Sequence, residues 1–385
     1  MRPFEFATAA RVLFGWGTLD QAGHAVRSLG THALVVTGRS QERADRLLPR
    51  LTTAGVSVTT FAVSHEPDLL TVRDGVAAAR RAGADVVVGI GGGSVIDSAK
   101  AIAILLANDG DPLDYLEVVG RGRAFTRPAV PTVAIPTTAG TGSEVTRNAV
   151  LASPGHRVKV SLREVSMLPR VAIVDPELTM DLPPALTATT GLDALTQLVE
   201  PYVSRRANAI SDALCADGIR RAARALRTAV DHGGDAPARE DMALASLFGG
   251  MALANAGLGA VHGCAGPIGG MFDAPHGAVC AALLPHVVAA NVRALQTRGG
   301  DAALLARFDD VARLVTGRPA ATAADGVAWV RALVKDLQVP GLAAHGVSPK
   351  HIPQIALRAA GASSMKGNPI ELTPGELSDI LSASL

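Results

Sequence analysis

Between residue 30 and about residue 180 the apolar positions alternate between two kinds of spacing. Short β-branched runs occur at HALVVTG (32–38), VSVTTFAV (56–63), ADVVVGI (84–90), PTVAIPT (131–137) and VAIVD (171–175). Between them lie Ala- and Arg-rich stretches such as SQERADRLLPRLTTAG and LLTVRDGVAAARRAGA, whose apolar residues recur three or four positions apart. Strand-like runs alternating with helical ones form a βαβ pattern, which predicts a mostly parallel sheet with helices on its faces. After Asp175 the strand-like runs stop, and the rest reads as long helices punctuated by Pro and Gly. The change falls near PELTMDLPPAL (176–186), so an α/β domain is expected over 1–180 and an all-helical one over 181–385. No repeat of fixed period marks a solenoid.

Composition narrows the classes. The 385 residues carry 36 Lys+Arg against 35 Asp+Glu, a net charge of +1, and the length suits about two domains. With 48% hydrophobic and 18% charged residues the chain can bury a large core throughout. Aromatics at 3%, with no basic run, leave neither stacking platforms nor a phosphate-binding stripe, so nucleic acid is not an expected partner. Uninterrupted apolar stretches such as Ala278–Pro285 fall far short of the ~20 residues of a bilayer-spanning helix. The N-terminal residues, with Glu5 and no continuous apolar core, do not read as a secretory signal. Cys215, Cys264 and Cys280 are odd in number and lack a C-x-x-C pair, which argues against a disulfide framework and a thiolate metal knot. A reducing cytoplasm is expected.

Candidate chemistry begins at ADVVVGIGGGSVIDSAKAIA, where Gly91, Gly92, Gly93 and Ser94 follow a buried strand and precede a helix expected to begin near Val95. Glycine there lets the backbone approach a pyrophosphate, and the helix N-terminus supplies N–H donors. GGGS alone serves a tight strand-to-helix turn equally well, because it is not the G-x-G-x-x-G fingerprint. A second segment, PTTAGTGSEVT (136–146), sets Thr137, Thr138, Thr141, Ser143 and Thr146 around two glycines, a density of hydroxyls suited to phosphate, ribose or carboxamide. Where such folds often present an acid to the adenosine ribose, this chain has Gly38, Arg39 and Ser40. No carboxylate repels a 2′-phosphate and a guanidinium could bind one, so NADPH is expected over NADH unless Arg39 is a solvated loop charge.

In the helical half, Asp193 sits in TATTGLDALTQLVEPYV with Gln197 at i+4 on the same face. His262 follows GLGAV, and His276 comes fourteen residues later in APHG. One Asp and two His are sound ligands for Zn²⁺ or Fe²⁺. Both histidines lie in unusually apolar sequence, where a free imidazolium would be costly and a ligand would not.

Together GGGSVIDSAK, PTTAGTGSEVT, GLDALTQ, VHG and APHGAVCAALLPHV resemble the iron-containing (type III) alcohol dehydrogenases, in the expected order over nearly the whole chain. The resemblance implies a nicotinamide cofactor on the N-terminal domain, a divalent metal on the helical domain and an active site in the cleft between them. It implies that Gly91 to Ser94 hold the pyrophosphate, that Asp97 supports that loop, and that Thr137, Thr138 and Lys159 contact the cofactor toward its nicotinamide. Asp193, His262 and His276 match metal ligands. Two positions depart from the family pattern: Gln197 stands where its iron enzymes commonly have His, and Gly266 where they often carry a second His. The fourth ligand is then either the weaker amide oxygen of Gln197 or absent; with three ligands the site is similar to that of zinc-dependent glycerol dehydrogenases, so the ion is expected to be Fe²⁺ or Zn²⁺, and the proton must arrive by a route other than residue 266.

The implied activity is reversible hydride transfer between NAD(P)H and a small aldehyde or ketone, with the metal polarising the carbonyl. Its rivals are a maleylacetate reductase-like oxo-acid reductase, a dehydroquinate synthase-like lyase and a catalytically silent binding protein. Family members commonly form dimers or larger homo-oligomers, and the same is expected here.

Overall fold

The computed structural model describes residues 3–39, 42–116, 119–299 and 301–385. Ser40 of the expected cofactor turn lies outside these residues. The chain divides into two compact units, one of Thr8–Thr138 and Gly142–Met180, the other of Met1–Ala7, Ala139–Thr141 and Asp181–Leu385.

The first unit is built on a parallel sheet. Its strands are β1 (Val12–Phe14), β2 (His32–Thr37), β3 (Ser57–Ala62), β4 (Val86–Gly91), β5 (Thr132–Pro136) and β8 (Val171–Val174), in the spatial order β1-β8-β5-β4-β2-β3. The five apolar runs of the sequence are β2, β3, β4, β5 and β8. Successive residues of β2 point to opposite faces. Leu34 and Val36 join a core with the helices Leu69–Ala82 and Gly93–Ala107, while Ala33 and Val35 pack with Leu47 and Leu51 of the helix Glu42–Thr53. The remaining strands, β6 (Asn148–Ser153) and β7 (Val158–Arg163), form an antiparallel hairpin. Its Ala149, Leu151, Val160 and Leu162 enter the Leu34 core.

Strand order reverses between β2 and β4: from β2 the chain steps outward to β3, then crosses back to β4 and proceeds through β5 to β8. In open α/β sheets the carboxyl ends of the strands beside such a reversal are where ligands bind. Here those ends carry Gly38–Arg39 and Gly91–Ser94, with Thr137 and Thr138 at the end of β5. The register aligns them, pairing Thr37 with Ile90 and Gly91 with Pro136.

The second unit is helical, with Pro184–Tyr202, Ala209–Asp231, Ala236–Ala256, Ala260–Met271, His276–Thr297, Ala302–Thr316 and Ala323–Asp336 as its longer helices. Helix Pro184–Tyr202 is buried from Gly191 to Pro201, charged residues included. Glycines admit its neighbours: a Cβ at Gly191 would lie 2.2 Å from Leu226 Cδ1, and one at Gly218 would lie 2.5 Å from Leu198 Cδ2. Helix His276–Thr297 corrects one sequence expectation, since its 22 residues are long and apolar enough to cross a bilayer. Counting uninterrupted apolar residues missed it because His286, Asn291 and Arg293 interrupt the run without ending the helix. With 83% of its apolar window buried, it is a core helix of this unit.

Candidate functional site

In the α/β unit, the backbone makes the turn. The helix Gly93–Ala107 starts two residues before the expected Val95, with Gly92 in extended geometry as its cap. Gly93 and Ser94 therefore lie in its first turn, where N–H groups have no intrahelical partner. A Cβ at Gly91 would come within 2.6 Å of Val95 Cγ2, so this glycine is required for the turn to close onto its own helix. At Gly92 the nearest atom is Thr138 Cγ2 at 3.4 Å, so that glycine is not demanded by packing. Thr137 donates its N–H to Gly91 O at 3.0 Å, while its hydroxyl is buried without a partner. Arg39 is exposed and donates from Nη2 to Ser64 O at 2.9 Å.

Behind the turn lies Lys100, 1% exposed. Its Nζ donates to Ser143 O at 2.9 Å, Ser143 Oγ at 2.7 Å, Thr146 Oγ1 at 2.9 Å and Asn148 O. It also meets Asp97 Oδ1 at 3.0 Å. Asp97 accepts from Ser143 Oγ and, at 2.8 Å, from Val150 N. Lys100 and Asp97 thus bind the glycine-turn helix to the 142–150 segment. Burial pulls the ammonium down while Asp97 and Glu144 oppose that shift, and burial pushes the Glu144 carboxyl up to about 7. Lys159 stands on β7, 10% exposed and ion-paired with Glu66. Thr141 belongs to the helical unit.

In the helical unit, Asp193, His262 and His276 come together although they lie on three different helices. Asp193 Oδ1 is 3.5 Å from His262 Nε2 and 3.7 Å from His276 Nε2. Side-chain exposure is 2% for Asp193, 8% for His262 and 38% for His276, so solvent reaches the group on the His276 side. Gln197, one turn from Asp193, donates from Nε2 to Asp193 Oδ2 at 2.8 Å. Asp193 Oδ1 and Gln197 Oε1 are both buried without hydrogen-bond partners. Burial alone would raise the Asp193 carboxyl, but His276, His262 and Gln197 hold it below its ordinary value. His276 is pushed up to about 9, first by Cys280, with Asp193 adding and burial opposing. Burial opposes charge on His262 too, yet Cys280, Asp193 and Glu200 carry it well above its usual range.

Two members of this constellation escape a reading of the sequence. Glu200 accepts from His262 Nδ1 at 2.7 Å through Oε2 and from Val261 N at 2.7 Å through Oε1. That fixes the tautomer so that Nε2 faces Asp193. A Cβ at Gly259 would lie 2.9 Å from Glu200 Oε1, so this glycine leaves room for the carboxylate. Cys280, fully buried and one turn beyond His276, places Sγ 3.6 Å from His276 Nε2 and 3.9 Å from His262 Nε2. Both had a signal in helical spacing, since Asp193, Gln197 and Glu200 fall at i, i+4 and i+7, and His276 and Cys280 at i and i+4. Among the described residues, a Cβ added at Gly266, one turn beyond His262, meets nothing within 4 Å.

A cation fits this donor set. Asp193 Oδ1, buried without a hydrogen bond, and two imidazole nitrogens 3.5 and 3.7 Å from it are donors spaced to converge on one ion. The second histidine nitrogen held by a carboxylate is the usual support of a ligating imidazole.

The sequence model described as iron-containing alcohol dehydrogenase matches residues 9–176, and that of the family's C-terminal part matches residues 187–385. The chain is 38% identical to 1,3-propanediol dehydrogenase of Klebsiella pneumoniae over 381 residues, covering 96% of this chain and 95% of that protein. It is 36% identical to lactaldehyde reductase of Escherichia coli (strain K12) over 371 residues, covering 94% of each. The solved structure of a 1,3-propanediol oxidoreductase superposes with a TM-score of 0.92 at 37% identity over the full length of both chains.

Proposed function

This chain belongs to the iron-containing alcohol dehydrogenase family and is a metal-dependent, NAD(P)-linked alcohol and aldehyde oxidoreductase, and from that premise we propose which residues carry the reaction and with which cofactor. Asp193, His262 and His276 hold the ion, and the observation that carries this assignment is Asp193 Oδ1, buried without a hydrogen bond 3.5 and 3.7 Å from two Nε2 atoms. When bound, the ion supplies polarisation of a carbonyl oxygen and the nicotinamide supplies or accepts the hydride.

The chain's own part is placement. Glu200 aims His262 Nε2 by accepting from Nδ1, and Gln197 occupies Asp193 Oδ2 so that Oδ1 remains for the ion. The first turn at Gly91 to Ser94 offers backbone N–H groups to the cofactor's phosphates, and Thr137 and Thr138 offer hydroxyls close by. Asp97 and Lys100 hold that turn against the 142–150 segment. Gly266 brings no side chain, so no proton moves through that position. The substrate class is a small aldehyde or ketone, the protein assembles as a homo-oligomer, and three free, buried cysteines suit a reducing cytoplasm.

Arg39 gives the cofactor preference. If its guanidinium meets a 2′-phosphate, the protein uses NADPH more efficiently than NADH. Arg39→Ala then raises the NADPH Michaelis constant by an amount matching a lost charge-assisted hydrogen bond, roughly 1.5–3 kcal/mol, and leaves NADH unchanged. Gly38→Asp reverses the preference. The check is a set of steady-state assays of aldehydes and oxo-acids with both cofactors after metal analysis. A wild type that prefers NADH and ignores Arg39→Ala makes Arg39 a solvated surface charge.

A further inference from the structure

Sulfur also belongs to the Asp193 cluster. Asp193, His262, His276 and Cys280 each offer one ligand atom, and these atoms all lie within 4.8 Å of one another. Zinc bonds of about 2.0–2.1 Å to nitrogen and oxygen and about 2.3 Å to sulfur, at tetrahedral angles, require N–O edges near ~3.3 Å and S–N edges near ~3.6 Å. The observed N–O edges are 3.5 and 3.7 Å and the S–N edges 3.9 and 3.6 Å. Four of the six edges among these groups thus have about the length an ion needs.

Gln197 is the other candidate for the fourth place, since its Oε1 is buried without a hydrogen bond, but no contact of that oxygen with the histidine nitrogens parallels those of Cys280 Sγ among the described residues. Gln197 Nε2 is held by Asp193 Oδ2, the oxygen turned away from the histidine contacts, whereas Cys280 Sγ faces both histidine Nε2 atoms directly. A thiolate is also a far stronger donor to Zn²⁺ than a neutral amide oxygen. Cys280 is fully buried, and Asp193 Oδ1, buried without a hydrogen bond, is a further sign that a cation is received here.

We propose that Cys280 is the fourth protein ligand, in place of Gln197, giving an Asp–His–His–Cys site selective for zinc over iron, in which a substrate oxygen would enter as a fifth ligand from the more exposed His276 side. On binding, the thiol gives its proton to solvent and the sulfur forms the metal bond, with no change of oxidation state. The proposal rests on the metal assignment above.

The test uses the full-length protein stripped with chelator and reloaded with Co²⁺, which reports sulfur ligation as a near-ultraviolet sulfur-to-cobalt charge-transfer band. Wild type shows the band, as do Gln197→Ala and Cys264→Ala, while Cys280→Ala and the near-isosteric Cys280→Ser lose it. Zinc dissociation constants rise at least about tenfold in both Cys280 variants, in the range found when a metal site loses a supporting group. Zinc also protects Cys280, and neither of the other cysteines, from alkylation. A wild-type protein that takes up cobalt stoichiometrically without the band overturns the proposal and leaves the metal assignment standing, and so does a band that survives in Cys280→Ser. Wild type that takes up no ion overturns both.

Discussion

Lys100 in the α/β unit and Asp193 in the helical unit are each 1% exposed, and each is ringed by polar groups drawn from distant parts of the chain. They differ in satisfaction. The ammonium of Lys100 has Ser143, Thr146, Asn148 and Asp97 around it, which exhausts its three protons. Asp193 has one oxygen hydrogen-bonded and the other without a hydrogen bond, 3.5 and 3.7 Å from two imidazole nitrogens, and its neighbour Gln197 has a buried oxygen with no hydrogen bond. A buried charge whose partners are complete belongs to the scaffold, because nothing further can be added to it. One whose partners are incomplete is paid for elsewhere in the fold and marks the place for a group from outside. Under the proposed function, the contrast puts Lys100 in the scaffold that holds the glycine turn and Asp193 in the metal site.

The contrast can be broken from either side. Asp193→Ala or His276→Ala should lower turnover by orders of magnitude while circular dichroism and the unfolding midpoint stay near wild type, since a metal bound at an open-sided site is not the core's main support. Collapse of the fold in both variants would make the cluster structural and erase the distinction.

Lys100→Met should do the reverse. Removing one partner of a buried ion pair strands Asp97 and costs roughly 3–5 kcal/mol, read as a lower urea midpoint, with metal content per chain unchanged. A midpoint equal to wild type would show that the Lys100 network contributes nothing net.

Glu144 sharpens the same side. Its carboxyl, 2% exposed, is pushed by burial up to about 7 from an ordinary 4.5, with Lys100 pulling the other way. A folded-state value above the unfolded one means that the native protein holds the proton more tightly. The stability this contributes is complete below about 4.5 and is lost as pH rises through about 7. The difference in unfolding free energy between wild type and Glu144→Gln should therefore fall by roughly 3 kcal/mol between pH 4.5 and 8. Parallel pH profiles for the two proteins would place the Glu144 carboxylate in a solvated setting.

How much of this could be read beforehand follows from distance along the chain. β2, β3, β4, β5 and β8 announced themselves because a covered strand needs a local run of apolar, β-branched residues. β1 is three residues long, and the hairpin β6–β7 mixes Asn148, Ser153, Lys159 and Arg163 into its run, so neither carries that signature. Asp193, His262 and His276 were visible as residue types suited to a metal, but nothing in linear order says that three helices bring them together. Glu200 and Cys280 were one or two helical turns from residues already singled out, and helical phase alone would have recovered them. Lys100 stood inside the apolar run SAKAIAILLA, a charge where the pattern asks for none, and it took Ser143, Thr146 and Asn148 to explain it.

The central claim, that incomplete satisfaction separates the metal centre from the scaffold, is tested most directly by calorimetric titration of zinc into chelator-stripped wild type, Asp193→Ala and Lys100→Met. The account predicts one ion per chain in wild type and in Lys100→Met, and no measurable binding in Asp193→Ala. Undiminished zinc binding by Asp193→Ala, or its loss in a folded Lys100→Met, would contradict it.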